Sequence, residues 1–455
     1  MQRRTLLRLG AVSAALAAPT LALAASRAVD AGAHGARGDG KTLNTQAIQA
    51  AIDEAAKTGG VVAFKPGTYL TGSLFLKSGM TLRLDRGVRI LGSRNLADYP
   101  EMPTRVAGVE LTWPAALINV YKQKNVRIVG DGVIDGDGKV FWDSYWALRR
   151  QYDPKGLRWA ADYDCKRPRL IQIFDSSAIA LSGPRLHRAG FWTVHVCYSR
   201  DVKVSDLLIS NNEGGRGPST DGIDIDSSTD VLVERADITC NDDALCIKAG
   251  RDADGLRVAR PTTDVVIRDC VVRDASAGIT FGSETSGGFH NIQVSGLKVL
   301  HPTPVGILFK SAHTRGGKIS DIRISDMHLQ DVFTVFRVNL NWNPSYSYAT
   351  IPEGMGGVPD YWRVMTQHVS EEQGRAHLSD VRVSDIKAIG AKTAFEVAAF
   401  PQAPLERFAF DNLDLDVQTA GKIANASDWR FTRSRIDTLD GKGPEVIDSK
   451  DVVGL

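Results

Sequence analysis

One short phrase recurs along this chain: an Asp or Asn, then Val or Ile alternating with polar residues. It reads Asn125-Val126-Arg127-Ile128, Asp201-Val202-Lys203-Val204, Asp230-Val231-Leu232-Val233 and Asp264-Val265-Val266-Ile267. It returns at Asn291-Ile292-Gln293-Val294, Asp321-Ile322-Arg323-Ile324 and Asp380-Val381-Arg382-Val383. From Ile179 onward its first apolar position falls at 179, 202, 231, 265, 292 and 322, at intervals of 23, 29, 34, 27 and 30 residues. Strict alternation predicts short strands, and a recurring unit of this size predicts a repeat architecture. No long run of helical period interrupts the strands after residue 60, so helical crossovers are not expected. Parallel strands without crossovers must be joined by going round a coil. Each repeat is then one solenoid turn, stacked about 4.8 Å above the last, with loops of variable length inserted.

The inward Val, Ile, Leu and Cys of such coils form a continuous core, and an open solenoid end needs a cover. The amphipathic stretch from Asn44 to Lys57 predicts a capping helix, with Asn44 as its N-cap and Gly59-Gly60 as its stop. Pro66-Gly67 and Ser78-Gly79 punctuate short strands expected at 61–64, 74–77 and 81–84. The fold expected is all-β, a parallel β-helix with a short N-terminal capping helix.

The 455 residues are 43% hydrophobic and 24% charged, which suits an ordinary globular chain with a full-sized core. Net charge is +2 with Lys and Arg scattered, so no nucleic-acid partner is expected. Arg3 and Arg4 precede an Ala-rich run from Leu9 to Ala24 that contains Pro19 and is too short and weakly apolar to span a membrane. This predicts a twin-arginine export signal over residues 1–24 and a periplasmic or secreted protein. A cap with the first strands is expected over 25–105, and the main β-helix domain over 106–455. Export after cytoplasmic folding fits five cysteines, an odd number without metal-ligand spacing. Cys240 and Cys270 are expected as buried thiols, with a Cys240–Cys246 bridge as the lesser alternative.

Acidic residues cluster between Gly214 and Gly250: Thr220-Asp221-Gly222-Ile223-Asp224, then Asn241-Asp242-Asp243. The 21 residues from Asp221 to Asp242 come close to the shortest coil interval, which places both on one face, a coil apart. Three carboxylates on one patch suit glycoside hydrolysis by inversion, where one carboxyl donates a proton and another activates water. That mechanism expects carboxyls about 6.5–9.5 Å apart. Mutual repulsion raises one pKa and keeps an acid protonated. Asp242 and Asp243 are consecutive, so a bend or bulge must turn both outward. Two blander roles stay open here: turn aspartates, or ligands of a calcium ion.

These motifs, with Gly282-Ser283-Glu284, Gly287-Gly288 and Lys310 followed by Arg315-Gly316-Gly317, resemble glycoside hydrolase family 28, the polygalacturonase family. The match runs in order from about residue 28 to beyond 390, through Gly132-Val133-Ile134-Asp135-Gly136 and Phe191-Trp192-Thr193-Val194-His195. The resemblance implies a right-handed parallel β-helix, inverting hydrolysis, no cofactor and no required metal. By position Asp242 looks like the general acid, Asp221 and Asp243 like the pair that activates water, and Glu284, Lys310 and Arg315 like substrate-binding residues. Three departures stand out: Ser219 replaces the usual Asn, Ala277 the usual His, and Leu308 the Arg that accompanies the lysine in the family. An arginine fork suits a uronate carboxylate better than a lone ammonium. The expected substrate is therefore a pectin-like or rhamnogalacturonan-like polysaccharide rather than plain homogalacturonan.

His195, His290 and His313 are candidates to replace the missing histidine. The aromatic segments Phe141 to Trp146 and Asn341 to Tyr348 read as loop insertions that either wall a cleft, favouring action at a chain end, or simply pack over the solenoid. A monomer is expected. A polysaccharide lyase on the same solenoid and a non-catalytic glycan binder are the alternative functions.

Overall fold

The Asp or Asn that opens each repeat has a left-handed backbone. Asn125, Asp201, Asp230, Asp264, Asn291, Asp321 and Asp380 all have φ between 52° and 57° in a computed structural model that describes residues 28–455. Asp and Asn enter this region more readily than other side-chain-bearing residues, which explains why they recur at the bend. The leader expected over 1–24 lies outside the described residues.

After each bend the chain enters a strand that pairs in parallel with its equivalents in the coils before and after. Arg200–Ser205 lies between Ser177–Ser182 and Thr229–Glu234, with Ile179, Val202 and Val231 in register. The large sheet contains 33 strands and closes as a right-handed parallel β-helix. Its core is a stack of inward Val, Ile, Leu and Phe, including Phe281 on Phe309 at 4.4 Å between ring centroids.

The capping helix, α1 (Thr45–Thr58), buries Ile48, Ala51, Ile52 and Ala55 and stops at left-handed Gly59. Asn44 does not cap it as expected. Its side chain instead accepts from Arg37 N and donates to the carbonyls of Arg37, Thr42 and Leu70, pinning the first coil. The division expected at residue 105 does not interrupt the coils: Ala28–Asp30 already pairs with Val61–Ala63, and Leu74–Phe75 with Ile118–Tyr121.

Three insertions lie against one face of the solenoid. The antiparallel hairpin Glu101–Val106 and Val109–Pro114 turns at Ala107 and Gly108, both at positive φ, as a two-residue hairpin turn requires. The second insertion carries α2 (Lys139–Tyr152) and the segment to Asp164; the third runs from 340 to 376. No long run of helical period was read after residue 60, yet α2 exists, because Phe141, Trp142 and Tyr145 make a short apolar stripe, with Phe141 buried in the solenoid core and Tyr145 against Ala161 and Cys165. A second apolar cluster lies outside the solenoid, where Trp113, Trp159, Trp192 and Trp362 from several segments meet. Strands under these insertions, such as Ile223–Asp226, Asp243–Lys248 and Val305–Lys310, are buried at every residue. No helix among the described residues is long and apolar enough to cross a membrane.

Candidate active site

The register of two neighbouring strands builds the carboxylate floor. Ile223 pairs with Leu245, which sets Asp221 level with Asp243 rather than with Asp242, and Gly222 N donates to Asp243 O at 2.9 Å. Asp242 sits in a bend just before strand Asp243–Lys248, so the two consecutive carboxyls are not held to strict alternation and both reach the cavity. Asp221, Asp242 and Asp243 each offer a carboxylate oxygen within 4.8 Å of the others, and all three line one cavity. The gap of about 6.5–9.5 Å expected for inversion is therefore not met by the nearest oxygens. The cause is the backbone, since adjacent coils are about 4.8 Å apart and Asp242 is bonded directly to Asp243.

The three carboxyls sit in different electrostatic surroundings. Burial, then the Asp243 charge, pushes Asp242 above the ordinary carboxylate range. Burial also pushes Asp243 up, but Lys310 and Lys248, with hydrogen bonds from Lys310 and Ser276, outweigh it and leave Asp243 below its ordinary value. Lys310 Nζ donates to Asp243 Oδ2 at 2.7 Å. Asp221 lies well above its ordinary value through burial and the charges of Asp224 and Asp242. Asp224, wholly buried three residues further on, is raised to about 7 by burial against the opposing pull of Lys248.

A hydroxyl and an ammonium group that sequence reasoning did not single out complete the floor. Ser276 Oγ lies 2.9 Å from Asp243 Oδ1 and 3.2 Å from Asp242 Oδ1, next to the position where the family has histidine. Asp243 N also donates to Asp242 Oδ1, at 3.0 Å, and no hydrogen bond among the described residues falls on Asp242 Oδ2. Lys248 Nζ stands 3.5 Å from Asp221 Oδ2, 3.5 Å from Asp224 Oδ1 and 3.3 Å from Glu284 Oε2, over the Trp192 ring. Lys248 follows Asp243 by five residues in the sequence, but only the register shows that it points at the acids.

Of the expected substrate-binding residues, Lys310 and Glu284 line the cavity, and Tyr346 Oη donates to Glu284 Oε1 at 3.1 Å. Arg315 does not reach it. Its side chain is wholly buried, bonded to Asp252 and to the Ser283 carbonyl, so it fixes the turn before Glu284 instead of touching sugar. None of the three histidines substitutes for the missing one. His195 is wholly buried between Arg169 and Asp226, and burial lowers it to about 4. His290 is exposed on another face, and His313 packs on Phe400 and Tyr348. All five cysteines are buried and free, Cys240 and Cys270 as expected, and the Cys240–Cys246 bridge is not formed.

The aromatic insertions divide by role. Trp142 packs over the solenoid, with Nε1 donating to Ala189 O at 2.8 Å, and Tyr145 packs on Ala161 and Cys165, whereas Trp342 and Tyr346 line the cavity. Asp221, Asp242 and Asp243 have the donor chemistry for a hard cation. Two ammonium groups already supply counter-charge to them, and the arrangement is suited to moving protons.

The model of glycosyl hydrolases family 28 matches residues 66–351, and that of rhamnogalacturonase A/epimerase, pectate lyase-like proteins matches residues 28–92. A probable polygalacturonase of Vitis vinifera is 32% identical over 319 residues, which cover 68% of this chain and 62% of that relative, less than two thirds of its length. An exo-poly-alpha-D-galacturonosidase of Dickeya chrysanthemi is 24% identical, over 93% of this chain and 73% of its own. The crystal structure of an exopolygalacturonase from Thermotoga maritima superposes with a TM-score of 0.72 at 25% identity, covering 90% of this chain and 92% of that one. With a family match over more than half of its residues, laid on a β-helix that carries the three aspartates together, the chain belongs to glycosyl hydrolase family 28.

Proposed function

We propose that this chain is an exported hydrolase of uronate-bearing pectic polysaccharide that works by inversion at a chain end. The observation that carries this is the unequal surroundings of two neighbouring carboxyls on one cavity floor: Lys310 Nζ donates to Asp243 Oδ2 at 2.7 Å and holds that carboxyl down, while among the described residues no hydrogen bond falls on Asp242 Oδ2 and burial pushes Asp242 up. Asp242 protonates the glycosidic oxygen from Oδ2 as the carbon–oxygen bond breaks. Water attacks the anomeric carbon from the opposite face and gives its proton to Asp243, with Asp221 orienting that water. Neither partner suits nucleophilic attack: both Asp243 oxygens are engaged, by Lys310 and by Ser276, and burial pushes the Asp221 carboxyl well above its ordinary range. Walls from three insertions, reaching the cavity through Ala107, Arg158 and Trp342, favour terminal sugars. The names of the relatives, with galacturonides as substrate, favour a pectic backbone.

A lyase needs a base to take a proton from carbon, and the two cavity lysines are poor ones. Burial would lower Lys248 and Lys310, but the surrounding acidic groups outweigh it and hold both ammoniums protonated. The twin-arginine leader supports export, and the enzyme is proposed to act as a monomer. Incubation with polygalacturonate, rhamnogalacturonan and xylogalacturonan, with products identified by mass and first-formed anomer, tests the proposal. Release of single uronate sugars of inverted configuration is expected. Unsaturated products, or retained configuration, would refute it.

A further inference from the structure

The position where the resemblance calls for an arginine is apolar here. Leu308 packs with Ala277 and Val305 in a small buried cluster. The cavity lysines are also committed, Lys310 to Asp243 at 2.7 Å and Lys248 among Asp221, Asp224 and Glu284. A uronate carboxylate brought to either would meet the acids that already hold that lysine.

Arg158 is placed differently. It lines the same cavity, and 17% of its side chain is exposed against 5% for Lys248 and 8% for Lys310. Nη1 donates to Asp162 Oδ2 at 2.6 Å, and among the described residues Nε and Nη2 make no hydrogen bond. Asp162 is shared with Arg167, which is wholly buried and bonds to it at 3.1 Å. Two guanidinium groups against one carboxylate leave one positive charge, and Arg158 is the member that meets the cavity. Its fork is held in place: Tyr346 lies 5.0 Å from the guanidinium, and the next residue, Trp159, is buried against Trp362. Ser219, the residue that departs from the family's Asn, donates to Asp162 Oδ1 at 2.9 Å and so belongs to this cluster.

We infer that Arg158 reads the carboxylate of a uronate sugar in this cavity, taking from the insertion side the role that position 308 has lost on the coil. This rests on the pectic-hydrolase function proposed above. An arginine with free donors forms charge-assisted, paired hydrogen bonds with a carboxylate that a hydroxymethyl group cannot replace.

The test measures binding, separately from turnover, by calorimetry in an Asp242→Asn background. The probes are a galacturonate oligosaccharide and the same oligosaccharide with its carboxyls reduced. Adding Arg158→Ala should weaken the galacturonate complex by about 10- to 100-fold and the reduced one by less than about 3-fold, with Arg158→Lys between the two. Circular dichroism and the melting temperature of each variant report whether the fold is kept, and Arg158→Lys serves if Arg158→Ala unfolds. Equal losses for both probes, no loss, or no preference for the uronate in the parent protein would overturn the inference. Should the wild-type chain bind with this discrimination yet hydrolyse nothing, the proposed hydrolase function fails and the inference stands. Should it hydrolyse galacturonides with Arg158→Ala indifferent, the reverse holds.

Discussion

Lys310 Nζ donates a 2.7 Å hydrogen bond to Asp243 Oδ2 across two coils, since Asp243 pairs with Ala277 and the strand of Ala277 pairs with that of Lys310. In the sequence the two residues are 67 apart. In the proposed mechanism this bond makes the lysine part of the proton-transfer machinery, beyond any contact with sugar. Lys310→Met should let the Asp243 carboxyl rise, because burial then acts on it with less opposition. Turnover near neutral pH should fall by about 100-fold or more, and the acid limb of the pH–rate profile should move upward. Steady-state kinetics across pH measure both; an unmoved acid limb contradicts the role.

Ser276 holds Asp242 and Asp243 where the family has a histidine one residue on. Ser276→Ala removes both contacts and should reduce kcat/KM by roughly 5- to 30-fold, the worth of about 1–2 kcal/mol. Restoring the family residue by Ala277→His should not help. Ala277 is wholly buried against Val305 and Leu308, and the larger ring should cost about 1–3 kcal/mol of stability by overpacking. Thermal unfolding of Ala277→His gives the answer, and an unchanged melting temperature would count against this packing.

The pH dependence has two sides. The proposed mechanism requires Asp242 protonated and Asp243 ionised, so kcat should fall as pH rises through the raised Asp242 value and again as pH drops through the lowered Asp243 value. For stability, the Asp243 contribution is present above the unfolded carboxylate pKa and lost as pH falls through the folded one. Asp224, raised to about 7, behaves oppositely: its contribution is present at acid pH and lost as pH rises through about 7. Asp224→Asn should therefore flatten the decline in melting temperature as pH rises from the ordinary carboxylate range to about 7. A decline of unchanged steepness in this variant rules that assignment out.

Ala178 occupies the bend that Asp or Asn fills in neighbouring coils, with φ of 57° and Ile179 in register with Val202. A side chain without a local hydrogen bond is poorly suited to that conformation. Ala178→Asn should stabilise the protein by about 0.5–1 kcal/mol, read as a small rise in denaturation midpoint with unchanged m-value. A lower midpoint would show that the bend is not the controlling factor.

Much of this was legible in the chain itself. The Asp/Asn-Val phrase marks the bend and the strand because one backbone requirement and one packing requirement repeat in every coil. Asp221, Asp242 and Asp243 stood out because they fall one coil interval apart, although counting residues matched Asp221 to Asp242 while the register matches it to Asp243. The insertions were harder to read. Helix α2 carries a stripe only three residues wide, and its partner surface on the coils is invisible in sequence. Arg315 belongs to a family motif yet is buried, and Arg158 belongs to none yet faces the cavity, because loop packing between distant segments decides exposure.

The central claim is that Asp242 is the proton donor of a hydrolase. The direct measurement compares wild type with Asp242→Asn for turnover of a galacturonate oligosaccharide and for its affinity. Turnover is expected to fall by about 100- to 10,000-fold while Kd stays within about 3-fold. Turnover within a few-fold of wild type, or a loss fully explained by weaker binding, would contradict it.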